Sequence, residues 1–404
     1  MPVPLPFFHA IATQISIVYQ PFHLRRTSVE RLAILVAGIM ASQSCVVSRV
    51  ARKVDGLGVT RATDAASIER RLRRTLGDRR LVRRAYEALL ARLLPWEEME
   101  EVVLIVDESS KRAHLHLLRM SLAYRGGVIP LAWILWRQQV ALPAGRYWQE
   151  MDRLLVRAAS LLPADCAVTV LADRAYDIPP FIDRLTARGW HWIIRCKGQG
   201  TIRFQDQRGT EAALADLVRA HLPGPDRRWK TRGKLFKQAG WREASIVAIW
   251  ERTADEPLVV ITDLAPRWEV LRTFGSRAWI EPGFRQEKSR GWQWEECQVP
   301  DLGHQHTLLL AMAWASVLTL LLGTQQATAA LARIQQRERT RPPLVPQHAR
   351  YSLFSLGLHF LHQWIDRHDR RRLPAGLPPP RPLSWNDQWR ALLSHHYIFQ
   401  SVRP

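Results

Sequence analysis

The sequence predicts a mixed α/β fold, a sheet-and-helix core with a β-rich insertion, preceded by a helical N-terminal module. Two short apolar runs, V-V-L-I-V over 102–106 and V-T-V-L-A over 168–172, read as buried strands. Helical stretches alternate with strand-like runs around them, which is the order of a layered α/β core. Between 198 and about 263 the pattern changes to short strands separated by charged turns.

From Ser28 to about Pro95 the pattern reads as helical. The stretch S-V-E-R-L-A-I-L-V-A-G-I-M begins at Ser28 with a serine cap and a nearby glutamate. A second run, S-I-E-R-R-L-R-R-T-L, begins at Ser67. The basic segment between them, S-R-V-A-R-K-V-D-G-L-G-V-T-R, is closed by glycines and fits turns joining helices.

The core begins at about 101. The strand ending at Asp107 is followed by H-L-H-L-L-R-M-S-L-A-Y and, after Arg125-Gly126-Gly127, by V-I-P-L-A-W-I-L-W, an expected hairpin. A helix over 147–162, the strand ending at Asp173, a helix over 180–188 and the strand W-H-W-I-I-R-C follow. The separation of Asp173 from Glu281 is too long for one connection, so T-I-R-F, A-S-I-V-A-I-W and L-V-V-I-T are expected in an inserted β-rich subdomain. The run Leu308–Leu322 reads as a buried helix, short of the roughly 18 residues that a membrane span needs. Beyond 325 the chain is basic and proline-containing, with P-P-L-V-P from Pro342 and a helical piece over 353–367 suited to a partner contact. The expected division is therefore 1–100, 101–325 with the insertion at about 198–263, and 326–404.

A formal net charge of +21 over 404 residues implies an anionic partner, most simply nucleic acid. Arginine outnumbers lysine, and its planar fork suits phosphate. Few acids balance Arg70, Arg71, Arg73, Arg74, Arg79, Arg80, Arg83 and Arg84, which read either as a solubilising face or as phosphate contacts. Cys45, Cys166, Cys196 and Cys297 form no C-x-x-C pair, so neither a zinc cage nor a disulfide framework is indicated. The N-terminus lacks a signal-peptide pattern, and no membrane role is expected; the reading is a cytoplasmic, nucleoid-associated protein.

The stretch F-G-S-R-A-W-I-E-P-G-F-R-Q-E-K over 274–288 carries the chemistry. Arg277, Glu281 and Lys288 stand four and seven residues apart, which places one acid between two cations on a helical stripe. A solvated charged face gives the same spacing. Pro282 and Gly283 directly follow the acid, so the helix is expected to restart or kink there. Asp107 and Asp173 each end a buried strand, where an aspartate is often only a turn residue. Taken with Glu281 they form a set of three carboxylates. Such a set is tolerable only with cations between its members, and Mg²⁺ or Mn²⁺ is the usual occupant of an oxygen-only site. Metals held this way serve phosphodiester chemistry. Glu108 is the rival ligand, but on a strand it should face the other side.

These residues resemble the DDE transposases of bacterial insertion sequences, of the type with a Y-(2)-R-(3)-E-(6)-K signature. Arg277, Glu281 and Lys288 match that signature, and Phe274 stands where the family has tyrosine. The segments I-E-P-G-F-R-Q-E-K-S-R-G-W, L-A-D-R-A-Y-D and M-S-L-A-Y-R-G-G-V-I-P-L-A-W extend the resemblance over roughly 100–325.

The resemblance implies an RNase H-like catalytic core, with Asp107, Asp173 and Glu281 as metal-holding catalytic residues. It implies DNA contacts from Phe274, Arg277, Arg285 and Lys288, and from Lys230 and Lys234 in the insertion. A tryptophan such as Trp229, Trp241 or Trp250 would hold a flipped base. It further implies an N-terminal DNA-binding module, terminal repeats and target DNA as partners, and a homodimer on paired ends. A hydrolytic nuclease of the same fold and a noncatalytic, DNA-binding regulator are the alternatives.

Overall fold

The computed structural model describes residues 6–57, 64–78, 80–81, 84–112, 114–140, 142–197, 202–338 and 352–366. Arg79, Arg83 and the proline-rich stretches after 338 lie outside the described residues.

Among the described residues, five α-helices precede the sheet: α1 (Pro6–Tyr19), α2 (Arg26–Ser42), α3 (Val47–Gly56), α4 (Ala65–Leu76) and α5 (Arg84–Leu93). The first was not legible as an element, and the expected serine cap of α2 is not at Ser28. Ser28 lies inside α2, buried, and its hydroxyl donates to Asp78 at 2.7 Å. Helix α4 begins just before Ser67 and is capped by Asp64, which accepts the Ser67 N–H at 2.6 Å. Of the basic stretch expected as turns, residues 48–56 are helix, because Val47, Val50, Ala51 and Val54 recur at helical spacing and pack inward.

Strands β1 (Glu101–Lys111), β2 (Leu115–Tyr124) and β3 (Gly127–Arg137) form a meander. Arg125 and Gly126 both adopt positive φ, 44° and 83°, as a tight two-residue hairpin requires. A bulge sits at Met120/Ser121, opposite Pro130, where proline could not donate to the ladder. Helix α6 (Arg146–Ala159) leads to β4 (Ala167–Ala172), and α7 (Pro179–Thr186) leads to β5 (His191–Arg195). Both strands join in parallel, β4 to β1 and β5 to β4. Their apolar runs are buried because helices cover the sheet.

The next segment contains β6 (Arg203–Gln205), β7 (Glu211–Ala213), α8 (Leu214–His221), β8 (Arg227–Leu235), β9 (Arg242–Trp250) and β10 (Leu258–Thr262). These strands extend the same sheet, which among the described residues has ten strands in the order β3-β2-β1-β4-β5-β10-β9-β8-β6-β7. The chain then forms α9 (Glu269–Gly275), α10 (Ile280–Arg285), α11 (Leu302–Glu338) and α12 (Leu353–Asp366).

Helix α11 corrects the reading of a short apolar run. Its span Leu302–Ala329 is long and apolar enough to cross a membrane by composition, yet its most apolar window is wholly buried against the rest of the chain. It packs on β3, α2, α4 and α12. Helix α12, the helical piece expected near the C-terminus, lies on α11 so closely that a Cβ on Gly357 would stand 1.9 Å from the Thr319 carbonyl oxygen. Its residues Leu353, Phe354, Leu356, Phe360, Leu361, Trp364 and Ile365 are buried.

Candidate active site

Asp107 and Asp173 come together through strand register. In the parallel pair, Ile105 stands opposite Leu171, and continuing that register by two residues brings Asp107 beside Asp173. Adjacent strands lie about 4.8 Å apart, so the two carboxylates share one end of the sheet. Asp173 closes β4 and opens a short 3-10 turn, Arg174–Tyr176.

The third acid arrives from a distant part of the chain. A 3-10 turn, Ser276–Trp279, carries Arg277 and leads directly into α10, which carries Glu281 in its first turn. The change from 3-10 to α hydrogen bonding falls where a restart was expected, and Pro282 sits in the first turn of α10, where its missing N–H breaks no helical bond. Gly283 is needed for space: a Cβ there would stand 2.6 Å from Val128 Cγ2. Helix α10 therefore lies tightly on the sheet face that carries Asp107.

The Arg277 guanidinium gathers all three acids. Its Nη2 donates to Asp107 Oδ2 at 3.1 Å and lies 3.5 Å from Asp173 Oδ2, while Nη1 donates to Glu281 Oε1 at 3.1 Å. Exposure rises outward, from 18% for the Asp107 side chain through 31% for Asp173 to 57% for Glu281. Burial pushes the Asp107 carboxyl above the usual carboxylate range, and nearby Asp173 adds to this; the Arg277 charge and the Glu108 N–H oppose it. Asp173 Oδ1 is buried without a hydrogen-bond partner, and so is Arg277 Nε.

A second arginine lies under the same cluster. Arg119 stands directly across from Asp107 in the β1–β2 ladder, so both side chains lie on one face. It pairs with Glu287, and both side chains are almost fully buried. Its guanidinium also covers the Phe284 ring, 4.2 Å from the centroid. This pair was not anticipated. Its trace in the sequence is an arginine inside a mostly apolar strand.

Glu108 points to the opposite face of β1, as strand alternation requires. There it contacts His116 Nε2 and accepts from the hydroxyls of Tyr147 at 2.6 Å and Tyr176 at 3.2 Å. Burial raises its carboxyl, but these partners outweigh burial and hold it below its ordinary value. Glu108 is thus engaged in packing α6 against the sheet.

The remaining candidates are dispersed. Lys288 lies on the π-helical turn Gln286–Arg290, 4.0 Å from Glu295, and Arg285 is exposed on α10. Phe274 is 6% exposed and packs in the core, so its ring is not presented at the surface. Lys230 and Lys234 are exposed on β8, four strands from β4. Trp229 stacks on His221 at 4.6 Å between centroids, and Trp241 and Trp250 are half-buried. The structure does not bring any of these five to the carboxylates.

Among the described residues, no group of three or more potential ligands is placed to hold a metal ion as it stands. The carboxylates surround a guanidinium instead. The donor set nevertheless fits a hard divalent cation: it consists of carboxylate oxygens only, and the buried Asp173 Oδ1 has a free lone pair.

No curated protein matches the chain at a significant level. Among solved structures, the piggyBac transposase in a synaptic complex with hairpin DNA aligns with a TM-score of 0.39 and 9% identity, covering 90% of this chain and 80% of that one. So distant a likeness leaves the assignment to sequence. Residues 149–318 match the family described as the transposase DDE domain, a span that includes Asp173 and Glu281. Over that span the chain is similar to the DDE domain of transposases.

Proposed function

We propose that the chain binds the ends of an insertion sequence and catalyses metal-dependent DNA cleavage and strand transfer into target DNA. Asp107, Asp173 and Glu281 are the catalytic residues in this reading, on an RNase H-like core made by β1–β5 and their helices. The observation that supports it most is the convergence of these three acids, from three separate elements, on the one guanidinium of Arg277. Structural ion pairs rarely need three acids for one cation, and the surplus negative charge suits a divalent ion.

Asp107, Asp173 and Glu281 would hold Mg²⁺ or Mn²⁺, which supplies charge neutralisation for the attacking and leaving oxygens of a phosphodiester. The chain's own residues do the rest. Asp107 and Asp173 are fixed by the strand register, so their spacing is set by the sheet rather than by loop motion. Glu281, the most exposed of the three, closes the site from α10. Arg277 holds the acids together against their mutual repulsion. Once relieved of that task, its guanidinium lies where scissile phosphate oxygens would meet it. Lys288 and Arg285 extend the positive charge along the same segment.

The proposed partners are terminal-repeat and target DNA, with two copies of the chain on paired ends. The α1–α5 region serves as the DNA-binding module, and the protein acts in the cytoplasm on the nucleoid. A noncatalytic regulator is the second reading, favoured by the position of Arg277 amid the acids.

A cleavage and joining assay on DNA carrying the element's ends, with Mg²⁺, separates the two readings. Joined products that disappear in Glu281→Gln while end binding persists are expected. Binding without cleavage by the wild type would select the regulator, and equal joining by both proteins would remove Glu281 from the site.

A further inference from the structure

Helix α3 buries Val47, Val50, Ala51 and Val54, and the same helical period turns Arg49, Arg52 and Lys53 away from the core. It is bent about 90° from α2 and tied to the segment that follows Glu281 and Lys288. The Cys45 N–H donates to the Trp292 carbonyl at 2.6 Å. Arg49 donates to Gln293 at 2.6 Å and pairs with Glu296 at 2.7 Å. Arg290, only two residues beyond Lys288, is consequently held beside α3.

Two concavities meet along this helix and share Arg49 and Arg52. One, of about 620 Å³, continues to Lys53 and Arg290. The other, of about 480 Å³, continues to Arg73 and Arg112. Among the described residues, Arg52, Lys53 and Arg290 have no ion-pair partner, whereas Arg49 and Arg73 are each paired with one acid. The result is a row of cations on an open surface rather than a cage around one anion.

We infer that this row is a track for the phosphate backbone of duplex DNA, running from the post-Glu281 segment along α3 to Arg112. The inference rests on the reading of the chain as a DNA-joining enzyme and adds a surface to it. Except for Arg290, the track lies outside the matched domain span. Repeated phosphates at fixed spacing match a row of arginines, which neutralise them and release counterions. No base-edge reading is assigned to it; its contribution is affinity and path.

The test is duplex binding by fluorescence anisotropy in EDTA, across a series of salt concentrations, so that cleavage cannot intervene. Wild type is compared with Arg52→Ala/Lys53→Ala/Arg290→Ala and with Arg219→Ala, an exposed arginine on α8 off the track. Each lost phosphate contact lowers the slope of log K against log salt by about 0.9, so the triple variant should lose about 2.7 and Arg219→Ala nothing. The single variant Arg52→Gln, expected to lose about 0.9, gives the same information should the triple variant fold poorly. An unchanged slope in the Arg52 variants, with wild type binding normally, overturns the track alone. Failure of the wild type to bind any duplex overturns the track together with the transposase reading.

Discussion

Two arginines touch the Asp107 face of the sheet, and they are held in opposite ways. Arg277 meets three acids at the rim, where Glu281 is more than half exposed. Arg119 meets one acid, Glu287, beneath the surface, where both side chains are almost fully enclosed. At the rim, negative charge exceeds positive and water reaches the group, so contacts can exchange. Below it, Arg119 Nε and Nη2 and Glu287 Oε2 have no other partners, so the pair stands or falls as a unit. The comparison distinguishes a cluster suited to chemistry from a pair that holds its floor in place.

The largest effect expected on the rim is catalytic. Asp173→Asn or Glu281→Gln should lower strand joining by about 10³-fold or more with little change in stability, measured by product yield and by urea denaturation. A large stability loss with retained joining would reverse the assignment of rim and floor.

The floor responds in stability. Arg119→Met leaves Glu287 buried and unpaired, at a cost of about 3–5 kcal/mol. Arg119→Met/Glu287→Met should recover most of that loss. Arg277→Ala should cost less, about 1–2 kcal/mol, since water can reach the acids it leaves. Equal losses for the two single variants in denaturant titrations would erase the distinction.

Gly283 connects the two regions, because α10 carries Glu281 over the rim and lies on Arg119. Gly283→Ala drives a methyl group into Val128 and should cost about 1–3 kcal/mol, read as a lower Tm. A neutral result would mean that α10 is free to lift from the sheet.

The smallest effect comes from an exposed pair of the same chemistry. The fork from Arg242 to Asp183, at 2.6 and 2.7 Å, holds the Asp183 carboxyl below its ordinary range. Its contribution is present above the ordinary aspartate pKa and is lost as pH falls through the depressed value. Because Asp183 is half exposed, Asp183→Asn should cost under about 1 kcal/mol near neutrality and nothing at low pH. A loss that grows on acidification would contradict that sign.

Much of this arrangement was legible where the signal is local. The runs before Asp107 and Asp173 show buried strands by apolarity alone, and the Arg277–Glu281 spacing gives one of the three contacts at the rim. The contacts of Arg277 with the two aspartates come from strand register and from the path of the chain after β10, which no window of sequence encodes. Arg119 and Glu287 were missed because a charged residue reads as surface until its partner is known. Ser28 was misread as a cap because its buried hydroxyl meets Asp78, fifty residues away. Helix α12 is legible as a helix, but its apolar stripe does not name α11 as the surface that covers it.

The central claim, that the three acids at the rim form one divalent-cation site, is tested most directly by Mn²⁺ titration of the DNA-free protein followed by electron paramagnetic resonance. Wild type should bind Mn²⁺, and Asp173→Asn should bind it much more weakly while retaining its fold by circular dichroism. Equal Mn²⁺ binding by the two proteins would contradict the claim.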